Sequence, residues 1–236
     1  MNNLSKLVFD PSFHDRLSHE LRTTLTGVVG FSEYIRHNAN EPMIKFTAQV
    51  VNEEGKDILR IIDAYCAAFR PQYEKNHISN FNVVDIVDKS IILLRESALV
   101  RSVKVVLHVD DNAWSVRIVS DILNFKRVVE LVLHDLIESS SGSEDLISIK
   151  ISIDGVTRKV KIKFLKYGWD LCSDVMNSYK DFFIKGICDY KNQAGPGVSA
   201  GLARFFIEKM SGELNASVTS DDAFCLEVVF PYSVKG

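Results

Sequence analysis

Two long stretches with one apolar rhythm, parted only by the breakers of Asn38-Ala39-Asn40-Glu41-Pro42, constrain this chain more than any other feature. In the first, Leu17, Leu21, Leu25, Val28, Phe31 or Ser32, and Ile35 recur at three- and four-residue steps, the period of a helix with one apolar side. Asp10 suits the capping of free amides and Pro11 suits a first turn, so this helix is predicted from there to about His37. In the second, Ile44, Ala48, Val51, Gly55, Ile58, Ile62, Tyr65 and Phe69 keep the same period until Pro71, whose ring disfavours helical geometry in the residue before it. Helices joined by so short a turn fold back as an antiparallel hairpin. Such a hairpin cannot cover its own stripe, and a second copy of the chain would complete a four-helix bundle, so a homodimer is expected.

Beyond the polar run Pro71–Asn80 the texture is mixed. Residues 81–87 (FNVVDIV) read as a strand leading into a helix over 88–100, and residues 103–109 (VKVVLHV) read as another strand. An amphipathic helix is predicted over 120–140. The alternating runs 146–153 and 159–168, either side of a turn, read as an antiparallel hairpin. A helix near 200–212 and a final strand over 223–231 complete an α+β chain: a helical hairpin at 1–75, then an α/β sandwich at 76–236. Trp114 and Trp169 read as packing residues.

The bulk numbers narrow the function classes. At 46% hydrophobic and 25% charged residues the chain is ordinary globular material, and its net charge of −3 argues against nucleic acid or an anionic membrane as partner. No run approaches membrane-spanning length and the N-terminus has no signal-peptide core, so the expectation is a cytoplasmic protein without anchor or sensor. Four scattered cysteines, with neither a CxxC nor a histidine at metal spacing, read as reduced thiols, and no metal site is expected.

His19 stands apart from the stripe. At about 100° per residue, Leu17, Leu21, Leu25 and Val28 lie within roughly 80° of one another, and His19 falls about 200° from Leu17. Thr23 lies one turn on, and Glu20 follows directly. An exposed imidazole beside a carboxylate can act as a nucleophile, because the carboxylate can bind one ring nitrogen and leave the other free.

Residues 13–35, FHDRLSHELRTTLTGVVGFSEYI, resemble the phosphoacceptor box of the sensor histidine kinases of two-component signalling, F-x-x-x-x-S-H-E-L-R-T-P-L-T-x-I-x-G-F-x-E, without a gap. The departure is Thr24, where the family has a helix-bending proline. The resemblance implies that His19 accepts a phosphoryl group, that Glu20 is its acid/base partner, and that Thr23 positions water for dephosphorylation.

In that family the hairpin precedes a Bergerat-type ATP-binding domain, also found in gyrase, and the chain from about Phe81 resembles it. Residues 120–141 align with G-D-P-x-R-L-x-Q-V-L-x-N-L-x-x-N-A-x-K-F-T. The family's two asparagines then fall on Leu131 and Asp135, and its lysine on Glu138. The second asparagine ligates magnesium, a role open to Asp135, whereas Glu138 sets an anion near the phosphates. In the next box, D-x-G-x-G, Gly168 matches the first glycine and Lys166 replaces the aspartate that accepts from the adenine amine: a donor facing a donor. Residues 195–214 fit the last glycine box with Gly195 and Gly197 in place and Ser199 for a third glycine; such glycines let amides approach phosphate.

The fold is therefore expected to be retained and the nucleotide site, with Asp135, Gly168, Gly195 and Gly197 as its remnant, to be non-functional. The function implied is a histidine phosphotransfer protein of a phosphorelay. It would carry phosphate on His19 to and from the aspartates of response-regulator receiver domains, with no cofactor. Two alternatives stand beside it: a sensor-less kinase core using ATP and magnesium in a divergent pocket, and a non-catalytic pseudokinase that regulates a kinase or response regulator.

Overall fold

The structure is a computed structural model that describes residues 11–69, 77–140, 145–168, 198–221 and 223–232. It divides into two compact units, Met1–Lys75 and Asn76–Gly236.

The first unit is the helical hairpin, α1 (Pro11–Asn38) and α2 (Pro42–Phe69). The apolar stripe read as one face of α1 serves two. Leu25, Val29, Ser32 and Arg36 are buried or half-buried and lie within about 60° of each other, the azimuth of the contacts to α2. Leu21, Val28, Phe31 and Ile35 form a second stripe about 100° away, and all four are exposed, Phe31 to 75%. On α2, Ile44, Val51 and Ile58 recur at heptad spacing and are exposed as well. Because the helices are antiparallel and right-handed, both exposed stripes fall on the same side of the hairpin.

Between the helices sits a small polar cluster. Buried Asn52 donates from Nδ2 to the Val29 carbonyl at 3.0 Å and to Ser32 Oγ at 3.2 Å, and Ser32 donates to the same carbonyl at 2.8 Å. A satisfied polar contact at one level fixes helix register where apolar side chains alone would slide. Beside it the backbones come close: a Cβ on Gly55 would lie 2.7 Å from Val29 Cγ2, on a stiff β-branched side chain, whereas nothing lies within 4 Å of one on Gly30. Gly30→Ala is expected to gain about 1 kcal/mol from helix propensity. Gly55→Ala forfeits that gain to an overpacking cost of about 1–3 kcal/mol. Paired urea titrations decide it, and equal stabilisation by both would show that the helices have room to part.

The second unit opens with β1 (Ile78–Asn82), paired antiparallel to β3 (Arg117–Asp121) in a two-stranded sheet. Val83–Val87, read above as strand, instead begin α3 (Val83–Leu93). Asn82 Oδ1 accepts from the amides of Val84 and Asp85, and this cap outweighs the β-preference of a valine-rich run. A short α4 (Arg95–Val100) follows. The main sheet has the order β2 (Lys104–Val109), β4 (Leu146–Asp154), β5 (Lys159–Tyr167), β7 (Phe224–Pro231), β6 (Glu213–Val218). Its β2–β4 pair is parallel and the others antiparallel. The β4–β5 hairpin read from the alternation is present; β3 and β6 were not anticipated.

Helices α5 (Ile122–Glu138) and α6 (Val198–Lys209) pack together beside a continuous core. Asp121 caps α5, its Oδ1 accepting from the amides of Leu123 and Asn124 at 3.0 Å, while its Oδ2 holds the His77 amide at 3.1 Å. Phe125 of α5 stacks obliquely between Phe81 and Phe230 at 5.1 and 5.4 Å. From β5, Val160, Ile162, Phe164 and Lys166 form one fully buried row, while Lys163 on the other row pairs with Glu227 across the sheet. Trp114, read as a packing residue, is 58% exposed; Trp169 lies outside the described residues.

Candidate functional site

Two places carry the residues singled out from the sequence. The first is the exposed flank of α1. His19 is exposed and lies about 160° round the helix from the exposed apolar stripe, so a partner covering that stripe would leave the imidazole in solvent. Glu20 is the next residue of the same helix. Thr23, also exposed, donates its hydroxyl to the His19 carbonyl at 2.8 Å, and Thr26 repeats the pattern to Arg22 at 2.7 Å. The helix runs uninterrupted through Thr24, where the kinase box has proline. One turn beyond His19, Arg22 crosses to α2 and binds Asp63 Oδ1 through Nη2 at 2.6 Å and Nε at 3.2 Å. Exposed as it is, this pair is worth well under about 1 kcal/mol, but its two-pronged geometry sets the helices' spacing beside the histidine.

His37 shares the azimuth of His19, five turns along, and differs in its surroundings: its Nε2 lies 2.9 Å from Glu33 Oε1. Arg36 binds the same carboxylate oxygen at 2.6 Å, and with these partners the Glu33 carboxyl is held below the usual carboxylate range.

The second place is the C-terminal end of α5 and the end of β5. Asp135 is buried on α5, and Gly168, just past β5, has φ 78°, a left-handed conformation that only glycine adopts without strain. Leu131, in place of the family's first asparagine, is buried in the core. Glu138 is paired with Arg101 at 2.5 Å, which cancels the anion that the sequence sets near the phosphates. Gly195 and Gly197 lie outside the described residues.

Lys166 is the unexpected member. Its side chain is fully buried, and Nζ donates to the Leu136 carbonyl at 3.0 Å and to Ser139 Oγ at 2.9 Å. Burial pushes its pKa down to about 8, opposed by the nearby Asp145 and Asp135 carboxylates, so the amine carries its proton at neutral pH. Sequence comparison placed Lys166 where an acceptor for adenine is needed; the structure shows its donors already engaged by α5. Asp135 could offer an oxygen to magnesium, but the nearby ammonium opposes a divalent cation there.

Among the described residues no helix is long and apolar enough to cross a membrane. No family model and no curated protein matches the sequence. The fold does match solved structures. Full-length ShkA in complex with AMPPNP superposes with a TM-score of 0.64 at 13% identity over 95% of this chain, which spans 46% of ShkA. The histidine kinase AdeS of Acinetobacter baumannii gives 0.54 at 14% identity, covering 92% of this chain and 98% of AdeS. Histidine kinase ThkA, in a complex with the response regulator protein TrrA, gives 0.54 at 16% identity over 93% of this chain and 60% of ThkA. The chain thus has the fold of a histidine kinase core: helical hairpin followed by α/β sandwich.

Proposed function

We propose that this chain is a histidine phosphotransfer protein that works without ATP. His19 attacks the aspartyl phosphate of a receiver domain with the lone pair of one ring nitrogen; a P–N bond forms as the P–O bond to the aspartate breaks. The carboxylate leaves as an anion, and the proton on the other ring nitrogen is shared with a neighbouring base, the role proposed for Glu20. Reversal onto a second receiver completes the relay, and the receiver brings its own magnesium and aspartate. Thr23 is proposed to position the water that hydrolyses the phosphohistidine. The chain is proposed to act as a homodimer in the cytoplasm, its exposed stripes closed against a second copy.

One contrast supports this reading: in a kinase-like fold the flank carrying His19 is open to solvent, while the residue aligned with the family's adenine-binding aspartate is a buried, hydrogen-bonded lysine. The fold comparison supports a second reading equally, a kinase core with a divergent pocket, since ShkA was solved with AMPPNP and Asp135 retains a magnesium-compatible oxygen. Incubation with a receiver phosphorylated by a small phosphodonor is expected to place acid-labile phosphate on His19, and incubation with labelled ATP and magnesium to place none. The reverse pattern establishes the kinase. Labelling by neither, across a set of receivers, leaves the non-catalytic regulator.

A further inference from the structure

The parity of β5 draws attention to one side chain. Along Lys159-Val160-Lys161-Ile162-Lys163-Phe164-Leu165-Lys166, lysines occupy the outer row until Phe164, and then Lys166 enters the buried row. A lysine in a closed apolar row is costly unless its donors are met, and here they are met by one helix end. The Ser140 amide, which would ordinarily serve the Leu136 carbonyl, turns to Ile137 at 3.1 Å. The Leu136 oxygen instead collects three side-chain donors: Lys166 Nζ at 3.0 Å, Ser139 Oγ at 3.1 Å and Ser140 Oγ at 2.9 Å. The amine therefore sits at the negative end of the α5 dipole. Asp135 from α5 and Asp145 before β4 supply the opposing charges.

We infer that Lys166 is an internal clamp: held by Leu136 and Ser139 and charge-balanced by Asp135 and Asp145, it fastens β5 to the end of α5 and closes the domain to magnesium–nucleotide. This rests on the ATP-independent half of the reading above and gives it a cause. The site has not merely lost an adenine acceptor; the substituted group has been built into the fold. The two changed positions also compensate each other. An aspartate where the family has asparagine and a lysine where it has aspartate leave the local charge balanced, which either change alone would not.

Three measurements on the full chain test it. Millimolar magnesium–ADP is expected to leave the melting temperature of the wild type unchanged, and a rise of several degrees overturns the closure. Lys166→Asp, which restores the family residue, would set a third carboxylate among Asp135, Asp145 and the Leu136 carbonyl, and is expected to lower the melting temperature by at least about 10 °C. Melting with the wild type overturns the clamp.

Because Lys166→Asp is liable not to fold, Lys166→Met supplies the third arm. The folded amine has its pKa near 8 and the unfolded one near 10.5, so between those values the unfolded chain holds a proton that the fold does not. Raising pH across that window favours the folded wild type. The wild type is therefore expected to gain stability relative to Lys166→Met between pH 8 and pH 10, and parallel profiles overturn the buried amine. None of these outcomes touches His19, so receiver-dependent labelling fails or succeeds independently.

Discussion

His19→Ala is expected to reduce phosphoryl uptake from a phosphorylated receiver to background while leaving melting temperature and assembly mass unchanged. The imidazole is exposed, no hydrogen bond among the described residues runs through it, and alanine is the best helix former, so truncation is expected to remove a nucleophile and nothing structural. The control is His37→Ala. His37 lies at the same azimuth on the same helix and is also exposed, but it is engaged by Glu33. It is expected to transfer phosphate as the wild type does. If uptake survives His19→Ala and falls in His37→Ala, the phosphoacceptor has been assigned to the wrong turn of α1. Glu20→Gln adds a graded test: losing the acid/base partner slows transfer by about 10²–10⁴-fold without moving the label. Stopped mixtures resolved by phosphate-affinity electrophoresis read all three variants.

The hairpin was legible because its information is local: a sustained 3.6-residue period ended by proline needs nothing from the rest of the chain. What the period could not reveal is that α1 carries two apolar azimuths. Leu25 and Val28 are neighbours in the pattern, yet one faces α2 and the other faces outward, a division set by where Asn52 and Gly55 let the helices meet. Val83–Val87 misled for a related reason: valines favour strands in general, but one well-placed asparagine turned the run into a helix. β3 escaped because its pairing with β1 joins residues far apart in sequence, with no hairpin turn to announce it. Lys166 lies between these cases. Its identity was visible as a departure from a family box, and its burial could have been read from the parity break at Phe164-Leu165-Lys166. Its role depends on the end of α5 arriving overhead, which no strand pattern encodes.

Phe31→Glu combined with Val51→Glu is expected to convert a dimer into a monomer, raising the dissociation constant by at least about a thousandfold, or roughly 4 kcal/mol. In the isolated chain both side chains are exposed, so the substitutions cost the folded protomer little. In a two-fold bundle each appears twice on the apolar side of the hairpin, and burying unpaired carboxylates there costs several kcal/mol. The proposed contact face is extended: Leu21, Val28, Phe31 and Ile35 on α1 continue into Ile44, Val51 and Ile58 on α2, whereas exposed apolar residues on a monomer are ordinarily scattered. His19 lies on the opposite flank, so the proposed association would hide the stripes and keep both imidazoles of the pair accessible. Light scattering over a concentration series measures the result directly. A wild type of monomer mass at micromolar concentration defeats the bundle outright, and a double variant that keeps the wild-type mass shows that the copies meet through some other surface.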